Sequence, residues 1–210
     1  MKLLIIGGTG KTGRQLIKQG LELGHELTVL ARKPGKVKLQ HPQLRILQGD
    51  VLKPETMTEA FKDQDAVLSA LGHKRFIIRT TILSRGTANI IEAMKHSRVN
   101  RLVCITSLGI NDSRFRLGLY YTLFTIPFIL FFYFQDKAKQ EKLIMNSDLD
   151  WTIVRPGQLF NGKKRRKYKL GPKEGHYIFT KFISRADVAD FMLQEVQDRK
   201  YLNKAVGITY

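Results

Sequence analysis

The sequence has a single cysteine, no long apolar run at its start and half as many acidic as basic residues, and each shortage excludes a class of protein. One cysteine, Cys104, cannot form an intramolecular disulfide or a cluster of cysteine ligands, so we predict no metal site and a reducing compartment. The apolar run before Gly7 is only four residues long, too short for a secretion signal. We therefore expect a cytoplasmic protein without such a signal.

The shortage of acidic residues gives the chain an unusual charge. It has 36 lysines and arginines against 18 aspartates and glutamates, a formal net charge of +18 and a pI near 10.1. A field of this sign concentrates anions, so nucleic acid, an anionic membrane surface and a phosphate-bearing small molecule are candidate partners. No nucleic-acid motif with interleaved aromatic residues accompanies the charge, which makes nucleic acid the least favoured partner.

Short apolar runs alternate with amphipathic helical patterns along the chain. We predict strands over residues 2–6, 25–32, 44–50, 65–72, 101–107 and 149–157, and helices over 12–23, 54–61, 80–96 and 185–196. Apolar strands that alternate with helices indicate a mainly parallel sheet covered on both faces. The predicted fold class is a doubly wound α/β Rossmann fold in one domain, residues 1–210, with small substrate-side elements in 117–135 and 158–183.

The most informative motif is GGTGKTG, residues 7–13, directly after the first predicted strand. A triphosphate-binding loop of the G-x-x-x-x-G-K-[ST] type would need a glycine where Ile5 stands. Gly7, Gly10 and Gly13 instead supply a tight turn, a close approach to pyrophosphate and close helix packing between a strand and a helix. The motif therefore predicts a dinucleotide site, with a ligand-free structural turn as the alternative.

The tip of the second predicted strand bears on the choice between NADH and NADPH. An acidic residue at this position binds the free ribose hydroxyls of NAD, whereas this sequence has Arg32, Lys33 and Lys36 and no carboxylate. Cations suit a 2′-phosphate through charge-assisted hydrogen bonds. We predict that NADP(H) is preferred and NAD(H) possible; solvated loop cations in a very basic protein are the alternative.

Together with QGDVLKPE, SALGH, CITSLG and SDLDWTIVRPGQ, the glycine turn resembles the atypical short-chain dehydrogenase/reductases, in the NAD(P)H-binding, NmrA-like branch that includes biliverdin-IXβ and flavin reductases. The resemblance covers nearly the whole chain. It implies that the glycine turn binds pyrophosphate, that the next two strand ends bind the 2′-phosphate and adenine, and that later strand ends flank the nicotinamide. In chain order the implied cofactor residues are Gly7, Thr9, Gly10, Lys11, Thr12, Gly13, Arg32, Lys33, Lys36, Asp50, Val51, Ala70, Leu71, Gly72, Thr106, Ser107, Lys137, Pro156, Gly157, Gln158 and Leu159.

The resemblance also implies catalytic residues. The wider superfamily uses serine, tyrosine and lysine, the last two spaced Y-x-x-x-K on one side of a helix, and Ser107, Tyr133 and Lys137 match this pattern. Ser107 would then orient the substrate, Tyr133 donate the proton and Lys137 hold the ribose. However, the NmrA-like branch often lacks this tyrosine, and a cofactor that carries the hydride can reduce a reactive acceptor without a protein acid. His73 could also reach this edge, although a lone loop histidine is more often solvated.

An uncharged apolar segment runs from Leu117 to Phe134 and is 18 residues long. It is nearly long enough to span a bilayer, but it contains Pro127 and lies between two strands of one predicted sheet. Two interpretations remain: a wall over the nicotinamide, or a patch that lies on a membrane. The basic segment 163–169, with Lys173, favours the membrane because anionic lipid attracts cations; a solvated hairpin and a site for an anionic substrate are its alternatives.

These features support three hypotheses of function. The leading one is an NADPH-dependent oxidoreductase that reduces a flat conjugated acceptor such as a flavin or quinone, because the chain has twelve phenylalanines and several lie near the predicted site. The competing one is a non-catalytic NADPH-binding redox sensor or assembly module, with membrane association as an option. Nucleic-acid binding rests on charge alone.

Overall fold

The computed structural model describes residues 1–73 and 75–210 and is built on one eight-stranded sheet. The strands are β1 (Lys2–Ile6), β2 (Glu26–Ala31), β3 (Leu44–Gln48), β4 (Ala66–Ser69), β5 (Arg101–Ile105), β6 (Asp150–Pro156), β7 (Gln158–Phe160), β8 (Lys169–Gly171), β9 (Phe182–Ser184) and β10 (Lys204–Thr209). The helices are α1 (Lys11–Glu22), α2 (Thr58–Phe61), α3 (Ile82–His96), α4 (Phe131–Met145) and α5 (Arg185–Asp198). A π-helical segment, Tyr121–Leu130, leads directly into α4.

The strand order opens a crevice beside β1. The order across the sheet is β3-β2-β1-β4-β5-β6-β10-β8, and β8 runs antiparallel to β10 while the other pairs are parallel. The chain reverses its direction of travel across the sheet between β3 and β4, so β1 and β4 flank the point of reversal. Connections diverge at such a point and leave a ligand crevice outside the carboxyl ends of the strands. The predicted doubly wound, mainly parallel α/β fold is confirmed.

Both faces of the sheet are buried by alternate side chains. Leu3 and Ile5 of β1 belong to a core cluster with α1 and α5, whereas Leu4 and Ile6 belong to a cluster on the opposite face with α2, α3 and α4. This alternation follows from the two-residue period of a strand. Because both faces are covered, the strands appear in the sequence as continuous apolar runs.

The structure corrects several predicted boundaries. The strands β3, β4 and β5 end earlier than predicted, so Asp50, residues 70–72 and residues 106–107 lie in loops beyond the sheet. The predicted helix over 54–61 is a 3-10 turn, Pro54–Thr56, followed by the single turn of α2. The Thr56 hydroxyl donates to the Lys53 carbonyl over 2.7 Å, and such local side-chain bonds compete with helix formation.

Four strands were not indicated by the sequence, and a helix at α4 was implied only by the resemblance that places Tyr133 and Lys137 on one helical face. The strands β7, β8 and β9 have three residues each, too few for a periodic pattern. The strand β10 extends the main sheet beside β6, and β7 pairs with β9 in a separate two-stranded sheet. Helix α4 continues ten residues beyond the predicted substrate-side element 117–135, and it carries most of the buried polar groups of the site described below.

A buried ion pair ties the sheet to α5. Arg101 on β5 donates to the Glu195 side chain over 3.1 Å and to the Glu195 carbonyl over 2.8 Å, and the two side chains are 5% and 2% exposed. Glu195 also accepts hydrogen bonds from the Thr152 hydroxyl and the Tyr201 backbone N–H. Burial lowers the pKa of Arg101, and Glu195 opposes that shift.

We expect Glu195→Ala to lower the free energy of unfolding by about 3–5 kcal/mol, because it leaves the Arg101 guanidinium buried without its counter-charge. Urea denaturation followed by circular dichroism measures the change. The matched control is Glu22→Ala, which breaks an exposed pair with Lys18 at 3.9 Å and should cost less than about 1 kcal/mol. Equal losses in the two variants would contradict this account of the ion pair.

Candidate functional site

The turn between β1 and α1 requires glycine at two positions. Gly7 has a φ of +82°, and a Cβ there would lie 2.4 Å from the Ala70 carbonyl oxygen. A Cβ on Gly13 would lie 2.2 Å from the Gly7 carbonyl oxygen. The turn therefore packs closely against both the chain after β4 and the first turn of α1, as the dinucleotide interpretation requires.

The amino terminus of α1 is left open by Gly10. This glycine is the N-cap, and it has no side chain that could accept the free N–H groups of the first helical turn. The first turn contains no acidic residue, whereas Lys11 is exposed and Thr12 and Gly13 are buried beneath the turn. Free N–H groups and the helix dipole suit a phosphate, so these residues fit the pyrophosphate of a dinucleotide.

A cleft opens beside the glycine turn at the carboxyl edge of the sheet. The predicted residues that line it are Gly7, Thr9, Arg32, Asp50, Val51, Leu71 and Gly72. It is also lined by five residues that the sequence analysis did not name, Ile6, Leu30, Ala31, Gly49 and Ile82. Most of these five lie at or just beyond the ends of strands, and that position could have identified them as cleft residues.

Cations surround the corner of the cleft next to β2. Arg32 lines the cleft, and Lys36 lines an adjacent recess together with Arg14 and Lys38. All four are exposed, as is Lys33, and none has a salt bridge to a carboxylate within residues 1–73 and 75–210. The sequence analysis missed Arg14 and Lys38. Arg14 lies on α1 and Lys38 in the loop after β2, and no local sequence pattern shows that these two elements border the same recess.

The loop after β3 is held in place at the far side of the cleft. The Asp50 carboxylate accepts the Leu52 N–H over 3.0 Å, and the Asn89 side chain donates to the Val51 carbonyl over 2.7 Å. A Cβ on Gly86 would lie 2.8 Å from the Val51 side chain, so α3 also packs closely on this loop. The loop is therefore held in a fixed position at this side of the cleft.

The cleft ends near Gly72, where an aromatic cluster begins. The Tyr133 hydroxyl lies 3.8 Å from the place a Cβ on Gly72 would occupy. The rings of His73 and Phe76 meet the Tyr133 ring edge-on, at centroid distances of 4.8 and 5.3 Å. His73 is half-buried and close to Thr80 Oγ1 at 3.1 Å, and burial lowers the pKa of its imidazole, so this histidine is not simply solvated.

Lys137 lies one helical turn after Tyr133 and on the same side of α4. Its ammonium is 5.3 Å from the Tyr133 ring centroid and donates to the Thr106 carbonyl over 3.0 Å. Lys137 is buried, and Ser107, the next residue after Thr106, is half-buried. The structure thus brings Tyr133 and Lys137 to the end of β5, although they do not line the cleft itself.

A buried carboxylate that the sequence analysis missed fixes this arrangement. Glu141, one turn after Lys137, is fully buried and accepts from the Thr106 hydroxyl over 2.6 Å and from Asn111 over 2.9 Å. Arg155 on β6 donates to both of its oxygens, over 2.9 and 2.7 Å. Burial alone would lower the pKa of Arg155, but its hydrogen bonds to Glu141 and Asp112 raise it. Arg155 therefore remains charged.

A second buried carboxylate on α4 caps the amino terminus of α3. Asp136 accepts the backbone N–H groups of Leu83 and Ser84 over 2.9 and 3.1 Å, and it also accepts the Ser84 hydroxyl. These are the N–H groups that a helix cannot satisfy by itself. Asp136 and Lys137 thus attach α4 to two neighbouring elements, which sets the position of Tyr133.

The predicted residues after β6 lie on the other side of β5. The Leu108 N–H donates to the Pro156 carbonyl over 3.1 Å, so this segment is a direct neighbour of Ser107. A Cβ on Gly157 would lie 2.5 Å from the Lys181 carbonyl oxygen. Gln158 and Leu159 begin β7 and are half-buried. They also lie outside the lining of the cleft, as far as the structure describes the chain.

The apolar segment 117–134 is divided between the interior and the surface. Tyr121, Ile126 and Leu130 pack against a small core formed by Leu108, Ile110, Leu117 and Phe134, whereas Phe128 is 79% exposed. Over residues 1–73 and 75–210, no helix is both long and apolar enough to cross a bilayer. The segment therefore has one side packed on this small core and a second apolar side that is exposed.

The basic segment 163–169 is partly anchored. Arg166 pairs with Asp190 at 3.0 Å, and the backbone N–H groups of Arg165 and Arg166 both donate to Asp187 over 2.8 Å. Lys164 also lies 3.5 Å from Asp190. The segment is neither a free hairpin nor part of the cleft lining in the described part of the chain.

Comparison with known proteins agrees with this geometry. A family model described as NAD(P)H-binding matches residues 7–199. An uncharacterized chloroplast protein of Arabidopsis thaliana is 28% identical, over 99% of this chain and 76% of its own. The photosystem II assembly factor Ycf39 of Synechocystis is 32% identical, over 77% of this chain and 46% of its own.

A solved structure has the same fold. The anaerobilin reductase ChuY of Escherichia coli O157:H7 superposes with a TM-score of 0.82, over 100% of this chain and 97% of its own, at 19% sequence identity. Identity this low demonstrates the fold alone. The family match, the glycine turn and the crevice at the reversal of strand order together mean that this chain belongs to the NAD(P)H-binding family, in the atypical short-chain dehydrogenase/reductase, NmrA-like branch.

Proposed function

We propose that the protein is an NADPH-dependent reductase of a flat conjugated acceptor such as a flavin or quinone. The observation that carries the proposal is the continuity of the cleft. It starts at the glycine turn, ends at Gly72, and there meets the Tyr133 hydroxyl, with Lys137 one turn further along α4. A dinucleotide bound at the glycine turn would thus extend toward a group that can donate a proton.

The chain's contribution to the cofactor is binding and orientation. The open end of α1 would hold the pyrophosphate, and the anchored loop at Asp50 and Val51 would hold the adenine. When bound, the nicotinamide supplies a hydride to the acceptor. The exposed cations Arg32 and Lys36, without carboxylate partners in the described ranges, favour a 2′-phosphate over free ribose hydroxyls.

Tyr133 is the candidate proton donor. Reduction of a conjugated acceptor adds a hydride and a proton, and the hydroxyl of Tyr133 lies at the mouth of the cleft. Lys137 does not face solvent, because its ammonium is buried and bound to the Thr106 carbonyl. Its role would be to hold the ribose end of the site and to keep a positive charge near Tyr133.

The surroundings of Tyr133 suit a flat acceptor. His73 and Phe76 pack edge-on against its ring, and Tyr121, Ile126 and Phe134 belong to the adjacent apolar cluster. Aromatic side chains stack on flat conjugated rings and exclude water from the reacting atoms. The anaerobilin reductase ChuY has the same fold, which supports a reductase without identifying its acceptor.

A second candidate function is a non-catalytic assembly module that binds NADPH. The 32% identity to the assembly factor Ycf39 favours it, although this chain spans only 46% of that protein.

The two candidates differ in whether the protein turns over NADPH. Purified protein is mixed with NADPH and a panel of flavins, quinones and linear tetrapyrroles, and the absorbance of the nicotinamide is followed. Oxidation with an acceptor supports the reductase, whereas tight binding without turnover for every acceptor supports the module.

We expect Arg32→Ala to weaken NADPH binding by about ten- to a hundredfold and to leave NADH binding nearly unchanged, because only NADPH has the 2′-phosphate. Fluorescence titration of the two cofactors measures the change. Lys204→Ala is the control, since it removes an exposed cation from the amino end of β10. If the control weakened NADPH binding equally, the preference would reflect net charge and not this corner.

We expect Tyr133→Phe to lower kcat by about a hundredfold or more, with little change in the affinity for NADPH, if the hydroxyl is the proton donor. Tyr121→Phe, in the same apolar segment, should keep kcat. Steady-state kinetics with the best acceptor of the panel distinguishes the two. An unchanged kcat in Tyr133→Phe would mean that the acceptor takes its proton from water.

We expect Gly10→Ala to fold with a loss of about 1 kcal/mol and yet to lose most of its affinity for NADPH. A Cβ on Gly10 would have a single close neighbour in the described chain, the Gly7 carbonyl oxygen at 3.2 Å. An N-cap side chain projects toward the first free N–H groups of the helix, where a phosphate would bind. Thermal unfolding and cofactor titration test the two halves of this prediction; retained affinity would place the phosphates elsewhere.

A further inference from the structure

A second feature of the site edge is a large exposed apolar surface, formed by residues 76–78, 119–132 and 177–179. One side chain from each segment illustrates it: Ile77 is 73% exposed, Phe128 79% and Phe179 67%. The three segments adjoin. The rings of Phe76 and Tyr133 pack with their centroids 5.3 Å apart, and the Leu119 N–H donates to the Ile178 carbonyl over 3.0 Å. Contiguous exposed apolar surface of this kind marks an interaction site.

The segments that carry the apolar surface pack closely against each other through their backbones. Gly118 has a φ of +97°, and a Cβ there would lie 2.8 Å from the Thr180 backbone nitrogen. His176 accepts the backbone N–H groups of Ile178 and Phe179 over 3.1 and 3.0 Å, which fixes the turn that exposes them. The side chains thus project from preformed segments that are bonded to one another.

The segments that form and border this surface, residues 75–79, 114–133 and 173–182, are strongly basic. Arg75, Arg79, Arg114 and Lys173 are exposed, and none has a carboxylate partner in the described ranges 1–73 and 75–210. The only carboxylate in residues 75–79, 114–133 and 173–182 is Glu174, which accepts a hydrogen bond from the Thr209 hydroxyl over 2.7 Å. The occupant of the surface must therefore accept apolar side chains and also supply negative charge.

We propose that the occupant is an anionic lipid bilayer, on which the protein lies with residues 76–78, 119–132 and 177–179 inserted among the headgroups and upper acyl chains. A second copy of this chain would bring its own unpaired cations against these cations, so charge opposes self-association through this face. A bilayer requires only exposed apolar side chains and neighbouring cations, and the two signals together give stable attachment.

Docking in this way would direct the substrate end of the site toward the membrane. Phe76 belongs to the apolar surface and also contacts Tyr133, which lies next to Gly72 at the end of the cleft. If the proposed reductase function holds, a lipophilic acceptor could then pass from the bilayer to Tyr133 without crossing water. The attachment itself does not depend on that function.

The test is flotation of the full chain with vesicles of phosphatidylcholine alone or mixed with phosphatidylglycerol. We expect the anionic lipid to raise the bound fraction at least about tenfold, and the double variant Ile77→Ser, Phe128→Ser to lower binding at least about tenfold. The matched control Leu23→Ser, Leu143→Ser changes two exposed leucines, 54% and 38% exposed, outside the apolar surface and should bind as the wild type does. Affinity for NADPH, measured on every variant, reports retained folding separately from any reductase activity.

Three outcomes would overturn the proposal. Binding to anionic vesicles that persists in Ile77→Ser, Phe128→Ser but disappears in high salt would mean attachment by charge alone, through a region such as the basic segment 163–169. Absence of vesicle binding together with a dimer in gel filtration that this double variant abolishes would make a second copy the occupant. Absence of both would leave an acidic protein partner as the occupant in place of lipid.

Discussion

The position of the site depends on one buried carboxylate, that of Glu141. It accepts hydrogen bonds from Thr106 beyond β5, Asn111 in the following loop and Arg155 on β6, and so fastens α4 to three segments at once. Burying an ion pair such as Glu141 and Arg155 costs free energy unless hydrogen bonds satisfy all of its polar atoms. Removing one partner leaves the other as an uncompensated buried charge. Since Lys137 and Tyr133 lie one and two turns before Glu141, their positions at the end of the cleft follow from this attachment.

The acidic residues of the chain are few, and the structure uses several of them in the interior. Asp136, Glu141, Asp187, Asp190 and Glu195 are buried, and each accepts hydrogen bonds from an arginine, a helix start or a nearby hydroxyl. Only three of the lysines and arginines, Arg101, Lys137 and Arg155, are buried among the described residues. The surface is therefore even more basic than the composition, which helps to explain why the cleft corner and the edge of the apolar surface carry cations without partners.

The apolar segment 117–134 has two sides because the chain around it allows only part of it to be buried. One side packs on Leu108 and Ile110, and Gly109 and Gly118 adopt positive φ angles that permit this packing. The other side has no core left to cover it within the described chain. The same segment thus contributes to a small core beside Tyr133 and provides most of the exposed apolar surface.

The local sequence was sufficient for the elements whose burial pattern is periodic and for the turn that needs glycine. Strands β1–β6, helices α1, α3 and α5, and the glycine turn follow from patterns within a few residues, because alternation, helical period and φ > 0 are local properties. From these elements we could infer a mainly parallel sheet and the edge of the sheet at which a dinucleotide would bind. Tertiary structure alone decided the rest: Asp136 at the start of α3, Glu141 against Arg155, His73 beside Tyr133, and β10 beside β6. These contacts join residues from 14 to 60 positions apart, and side chains of unremarkable local pattern find such partners only when the sheet and helices have packed and water has been excluded.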